Sequence, residues 1–350
     1  MSIFHKLLVK EVTRETKDAV SILFDIPDDL KNEFSFVPGQ YLTIQKELDD
    51  QELRRAYSIC SSPNSNELRI AVKAIPNGHF SVYANTKLKQ GDFLKVSAPE
   101  GKFVLQASAS NTNNYIAFAS GSGITPILSM IQTVLETEKE SNFILVYGNK
   151  SKKETIFKDK LDEMIQRYPS KFKVHYIYSQ ELIEKALFGR INSDAVDEIV
   201  RNIYKYISFD KVFVCGPEEM IDTIEKNLSD HGYSKDNIYF ELFSSTSAKK
   251  EIDKDLTGVS QITFILDEEE FNFEMRKDET ILNAALQHNL DAPYSCQGGI
   301  CSSCLAKVKE GSAMMKVNKI LSKEEIDEGL ILTCQAHPVT SKITVDFDDV

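Results

Sequence analysis

The order of apolar and polar positions changes character along this 350-residue chain. In roughly the first hundred residues, stretches 7–16, 19–26, 40–48, 55–62 and 67–75 are rich in β-branched and aromatic residues. Turn signals at Pro38-Gly39, Pro63-Asn64 and Pro76-Asn77-Gly78 separate them. That pattern predicts an antiparallel β-barrel. From residue 114 the period lengthens. Short apolar runs at 115–120, 143–149, 172–179, 211–215 and 237–243 alternate with segments of helical spacing at 126–140, 155–168, 193–206 and 221–228. Strand–helix alternation predicts a parallel α/β sheet. Residues 244–258 are polar and rich in Ser and Lys, the composition of a linker. Beyond them come predicted strands at 261–267 and 271–277, a helix within 278–290, a cysteine-bearing loop, and strands at 304–311 and 342–347. The expected organisation is a β-barrel over 1–109, an α/β domain over 110–243, a linker over 244–259 and an α+β domain over 260–350.

Charge narrows the function classes. Lys and Arg number 41 against 53 Asp and Glu, a net of −12. An acidic balance argues against a nucleic-acid partner. No apolar run reaches the ~18 residues of a membrane span, and the first fifteen residues meet charge too early for a signal peptide. The expectation is a soluble cytoplasmic protein with no membrane or nucleic-acid partner. The acidity is uneven: residues 260–350 carry 16 acids and 8 Lys or Arg, a net of −8, leaving −4 for the rest. Such a surface can steer docking onto a basic partner face, although a merely solvated face has the same composition.

Four of the six cysteines fall in the last quarter. Cys296, Cys301 and Cys304 follow C-x4-C-x2-C spacing, and Cys334 lies 30 positions on. This is the plant-type 2Fe–2S pattern. Gly298 and Gly299 let the backbone wrap closely and aim N–H groups at sulfur. The other readings are a zinc site, which usually needs paired C-x2-C knuckles, or buried free thiols. Residues 261–350 resemble a plant-type ferredoxin domain of β-grasp fold.

Two further motifs carry chemistry. Arg55-Ala56-Tyr57-Ser58 lies on a predicted strand, and Asn77-Gly78-His79-Phe80-Ser81 opens a short helix. An arginine can fork onto a pyrophosphate, and a helix start behind a glycine offers N–H groups to the same anion. Tyr57 supplies a flat face and Ser58 a hydrogen bond for a ring nitrogen. A surface Arg beside a core Tyr fits those residues too. Gly121-Ser122-Gly123-Ile124-Thr125-Pro126 stands between a buried strand and a helix, where a pyrophosphate can be held. Cys215-Gly216-Pro217 ends a later strand, where open α/β sheets bind ligands.

A barrel with R-x-Y-S, followed by G-x-G-I-T-P and then C-G-P, resembles the ferredoxin–NADP reductase superfamily over residues 1–243. The resemblance implies that Arg55, Tyr57 and Ser58 hold FAD and that Gly78 and Ser81 serve its pyrophosphate. It also implies that Gly121, Gly123, Thr125, Cys215, Gly216 and Pro217 border the nicotinamide, with Ser58 and Cys215 as the catalytic pair. Cys215 also reads as an inert buried thiol. Phe243 is either near the flavin or a core aromatic. Cys60 reads as core, and His79 as solvent-facing. The domain order flavin, nicotinamide, ferredoxin resembles reductase components of multicomponent oxygenases. It implies electron flow from NAD(P)H through FAD to a cluster held by Cys296, Cys301, Cys304 and Cys334, and on to an oxygenase of di-iron type. The alternative acceptors are a ring-hydroxylating dioxygenase, a desaturase or a cytochrome. For the coenzyme, Lys150, Lys152 and Arg190 suit the 2′-phosphate of NADPH. Gln180-Glu181, where NADP-linked members carry Ser-Arg, keeps NADH open.

Overall fold

The computed structural model describes residues 3–48, 51–244 and 256–350. The chain divides into two compact units, one made of His5–Leu53 with Tyr57–Phe243 and the other centred on Ser244–Val350.

The first unit opens with six strands: β1 (Phe4–Thr16), β2 (Ala19–Asp25), β3 (Tyr41–Leu48), β4 (Gln51–Ser58), β5 (Leu68–Lys73) and β6 (Phe93–Ser97). Their order is β4-β3-β6-β1-β2-β5, and an Ile59–Ile70 bridge joins the two ends into a barrel. The alternation of the sequence points Leu7, Val9, Ile22, Leu42, Ile44 and Val72 inward, all fully buried. Helix α1 (His79–Thr86) adds Phe80 and Ala84 to that core.

The same unit continues with β7 (Asn114–Ser120), α2 (Ile124–Thr137), β8 (Asn142–Asn149), α3 (Lys158–Arg167), β9 (Phe172–Tyr178), β10 (Leu187–Phe188), α4 (Ser193–Asp197), β11 (Lys211–Pro217), α5 (Glu218–Asp230) and β12 (Ile238–Ser244). The sheet order is β10-β9-β8-β7-β11-β12, with β7, β8, β9 and β11 in parallel register. The winding reverses between β7 and β11, which makes a crevice at their carboxyl ends. Helix α2 is buried from Ile124 to Leu135. Its polar residues bond to the barrel: Ser129 Oγ donates to Ser61 O at 2.6 Å and Gln132 Nε2 to Cys60 O at 2.9 Å. The barrel and the α/β sheet therefore pack as one body. The helix expected over 193–206 is interrupted: α4 gives way to a π-turn at Glu198–Ile203. Ile199 and Val200 of this turn are buried.

The second unit contains β13 (Val259–Leu266), β14 (Glu269–Arg276), α6 (Ile281–Gln287), β15 (Leu305–Glu310), β16 (Ala313–Met315), α7 (Lys323–Asp327), β17 (Leu330–Leu332), β18 (Ala336–Pro338) and β19 (Lys342–Asp346). A five-stranded sheet runs β14-β13-β19-β15-β17 with β13 and β19 parallel, and β16 pairs with β18 apart from it. Helix α6 lays Ile281, Leu282, Ala284 and Ala285 into the core, with Thr280 accepting from Asn283 N–H at 3.3 Å as its cap. This is the β-grasp arrangement expected. Most of the expected linker lies outside the described residues; Ser244 closes β12 and Val259 opens β13. Among the described residues no helix is long and apolar enough to cross a membrane.

Candidate functional site

Strand β4 delivers the first group. Arg55 is exposed, and its Nη1 donates to Arg54 O at 2.7 Å. Tyr57 is half-buried, its ring 5.5 Å from Phe80 of α1. Ser58 is buried and donates to the Glu241 carboxylate of β12 at 3.0 Å. At the start of α1, a Cβ on Gly78 would come within 2.2 Å of Ser81 Oγ and 2.6 Å of Ile75 Cγ1, so a larger residue there would displace both side chains. The Ser81 hydroxyl is engaged inside this turn: it accepts from Ile75 N–H at 3.3 Å and donates to Gly78 O at 3.4 Å. It shapes the helix start more than it faces outward. His79 is exposed, as expected.

The second group sits at the crevice between β7 and β11. Gly121 holds φ +55°, with its carbonyl accepting from Tyr147 Oη at 2.9 Å. A Cβ on Gly123 would lie 2.1 Å from the Cys215 carbonyl, so these two turns touch backbone to backbone. Thr125 is buried and donates to Ser122 O at 3.0 Å. Gly216 packs tightly against Met220 and Ser120, and Pro217 is exposed at the head of α5. A cavity of about 410 Å³ opens here, lined by Gly121, Pro217, Lys73, Asn149, Lys150 and Arg190 among others. Gln180 lines it too. Lys152 is not among the lining residues, and its amide is taken by the Glu181 carboxylate at 2.7 Å. That bond holds the Glu181 carboxylate on the Lys152 backbone and leaves the Lys152 ammonium uncommitted by it. Phe243 is half-buried against the α/β core.

Two residues of this site went unmarked in the sequence. Glu241, half-buried as a residue, has its carboxyl pKa raised to about 8 by burial, opposed by the Ser58 hydrogen bond. Cys215 is fully buried, and burial together with the nearby Glu241 charge raises its thiol well above the ordinary range. Ser58, Cys215 and Glu241 thus converge from β4, β11 and β12. A lone acid within the apolar run 237–243 was the available signal for Glu241. Lys73 had none: it ends β5 and reaches the Gly121 turn only because the barrel and sheet pack as one body. The glycine cradles, the cationic cavity and the buried hydroxyl–carboxyl pair suit a planar ring system and a dinucleotide.

The third group is the cysteine loop. Cys304 and Cys334 are buried, and Cys296 and Cys301 half-buried. Thr333 N–H and Oγ1 both donate to Cys304 O, at 3.0 and 2.9 Å, which ties the two cysteine-bearing segments together. Gly298 N–H points at Cys296 Sγ, 3.3 Å away. Gly299 holds φ +71°, and a Cβ there would strike Val317 O at 2.7 Å. The thiols interact in pairs, Cys296 with Cys301 and Cys304 with Cys334, with Cys296 and Cys334 also in reach. Hydrogen bonds from the Cys301 and Cys334 thiols and from backbone N–H groups hold Cys296 toward thiolate. Among the described residues, no three Cys, His, Asp or Glu side chains are placed to hold one metal ion. Four thiolates are the donor set of a two-iron cluster, two to each iron. The donor set fits the cluster. Cys60, by contrast, is buried in the core with its thiol bonded to Arg69 O at 3.3 Å.

Family models place an oxidoreductase FAD-binding domain at residues 6–105, an oxidoreductase NAD-binding domain at 118–226 and a 2Fe–2S iron–sulfur cluster binding domain at 264–339. The chain is 39% identical to a component of the 1,2-phenylacetyl-CoA epoxidase of Escherichia coli K12, over 99% of both chains. It is 32% identical to the ferredoxin reductase component of 3-ketosteroid-9-alpha-monooxygenase of Rhodococcus rhodochrous, over 97% of this chain and 96% of that one. Phthalate dioxygenase reductase shares the fold over 98% of each chain, with a TM-score of 0.62 at 23% identity. The chain belongs to the ferredoxin–NADP reductase superfamily, among the oxygenase reductase components that join FAD-binding, NAD-binding and C-terminal 2Fe–2S domains in one polypeptide.

Proposed function

We propose that this reductase takes electrons from NADPH and delivers them to a cytoplasmic di-iron oxygenase that epoxidises phenylacetyl-CoA. The observation that carries the choice of partner is the end-to-end 39% identity to the epoxidase component. When bound, the nicotinamide supplies a two-electron hydride, the flavin accepts both electrons and releases them singly, and the cluster carries one at a time. The chain's task is to hold these groups in line. Arg55 neutralises the flavin pyrophosphate beside the Gly78 turn, which Ser81 braces. Tyr57 flanks the ring, and Ser58 with Glu241 offers a proton-bearing edge to its nitrogen. Gly121, Gly123 and Thr125 present backbone to the coenzyme, while Cys215, Gly216 and Pro217 wall the nicotinamide. Phe243 closes the flavin side.

The cationic cavity supports NADPH. Lys150 and Arg190, which line the cavity, together with Lys152 supply the cations a 2′-phosphate needs. Cys296, Cys301, Cys304 and Cys334 ligate the cluster, and the acidic surface of the 260–350 region meets a basic face on the partner.

Stopped-flow reduction with NADPH and with NADH, followed by oxygen uptake with the epoxidase component, tests each part. NADPH is expected to reduce the flavin faster, and equal rates would remove the coenzyme assignment. Uptake only with a dioxygenase, desaturase or cytochrome would move the chain to another partner. Cys304→Ser is expected to keep flavin reduction and abolish transfer to the partner. Survival of both would overturn the ligand assignment.

A further inference from the structure

The cysteine loop carries a hydroxyl that nothing in the described polypeptide satisfies. Ser295 immediately precedes Cys296 and is 1% exposed. Its Oγ has no hydrogen-bond partner among the described residues. A buried hydroxyl left unpaired costs about 1–3 kcal/mol, so such groups in native proteins generally answer to something. The neighbouring hydroxyls show what the local chain does when it has a protein partner. Thr333 Oγ1 donates to Cys304 O at 2.9 Å, and Ser303 Oγ accepts from Cys301 Sγ at 3.7 Å. Ser295 has no such outlet, because the chain on its far side runs straight into the cysteine turn, where Gln297 holds φ +52° and Gly299 +71°.

Resting on the ligand assignment above, we infer that the Ser295 hydroxyl is a positioning donor to the 2Fe–2S cluster, hydrogen-bonding a cluster sulfur and setting its reduction potential. A donor aimed at sulfur stabilises the added negative charge of the reduced cluster and so raises the potential. Backbone donors such as Gly298 N–H are fixed by the fold. A side-chain hydroxyl, by contrast, is a donor that a single substitution can remove without reshaping the loop. Its burial also keeps it from water, which would otherwise compete for the same acceptor.

The test is a potentiometric titration of the full-length holoprotein, with the cluster followed by its visible and electron paramagnetic resonance spectra. Ser295→Ala is expected to keep the cluster spectrum while the oxidised-to-reduced equilibrium shifts about tenfold toward oxidised, ~59 mV more negative for one electron. Ser295→Thr, which keeps the hydroxyl, is expected to stay near the wild-type potential. Resonance Raman spectra of the wild type in D₂O are expected to show an isotope shift in the iron–sulfur modes that is reduced in Ser295→Ala. An intact cluster with unmoved potential and an unchanged isotope shift overturns the inference and leaves the ligands standing. If Ser295→Ala loads no cluster, the isotope shift of Ser295→Thr against wild type decides: a matching shift supports the donor, and a lost shift with unaltered potential removes it. Failure of the ligand assignment has a separate signature, a cluster spectrum that survives Cys304→Ser unchanged.

Discussion

At the scale of single residues, the buried carboxyl of Glu241 makes the sharpest prediction. Its folded pKa of about 8 stands above the 4.5 of a free glutamate. Between those values the folded state binds a proton that the unfolded state releases, so stability falls as pH rises from about 4.5 to about 8. Glu241→Gln removes the titration. Its melting temperature is expected to hold level across pH 5–9 where the wild type declines, and parallel curves would contradict the burial argument. Gly123→Ala meets the Cys215 carbonyl at 2.1 Å, a backbone atom that cannot swing aside. It is expected to cost about 1–3 kcal/mol in urea denaturation and to weaken coenzyme binding. Residue-level legibility divides along the same line. The cysteine loop was readable because three of its cysteines sit within nine consecutive positions, and Ser58 was readable inside a four-residue motif. Glu241 and Lys73 acquire meaning only from which strands lie side by side, and no local pattern records that.

At the scale of elements, the β13–β14 hairpin illustrates a strained turn held from outside. Asp267 and Glu268 both hold positive φ, at 54° and 63°. The Asp348 carboxylate accepts from both of their N–H groups, at 3.0 and 2.8 Å. Glycine tolerates that backbone and glutamate does not. Glu268→Gly is therefore expected to stabilise the unit by about 1 kcal/mol, read as a higher denaturation midpoint at constant slope; a lower midpoint would show that the Glu268 side chain contributes more than its backbone loses. Long elements were legible here because ten or more residues repeat one period, as in α2. Strands β10, β16 and β18 have three residues or fewer and carry no period. Helix α7 had a signal that the pattern alone passed over: Ser322 and Glu325 form a reciprocal capping box. The π-turn after α4 has no signature in the sequence spacing.

At the scale of the whole molecule, charge is divided unequally, with −8 of the −12 in residues 260–350. Part of that is used internally, since Lys307 and Lys309 both reach Asp349, at 3.3 and 2.6 Å. The remainder is available for steering, so transfer to the oxygenase is expected to slow steadily as ionic strength rises. A rate flat from low to high salt would assign the acidity to solubility alone. The change from barrel strands to strand–helix alternation was legible because each has its own hydrophobic period, while the joint packing of barrel and sheet in one unit, through Ser129 and Gln132, was not. The sheet of the ferredoxin-like unit has a kinetic corollary. Its β19 is the last strand of the unit in the chain, yet it lies in the middle of the sheet, between β13 and β15. The β13–β14 and β15–β17 pairs can form before it, but nothing joins them into one sheet until β19 has been synthesised, some 80 residues after β13 emerges. Such long-range pairing is slow. The two halves of the sheet thus close on each other only when nearly the whole domain has been made.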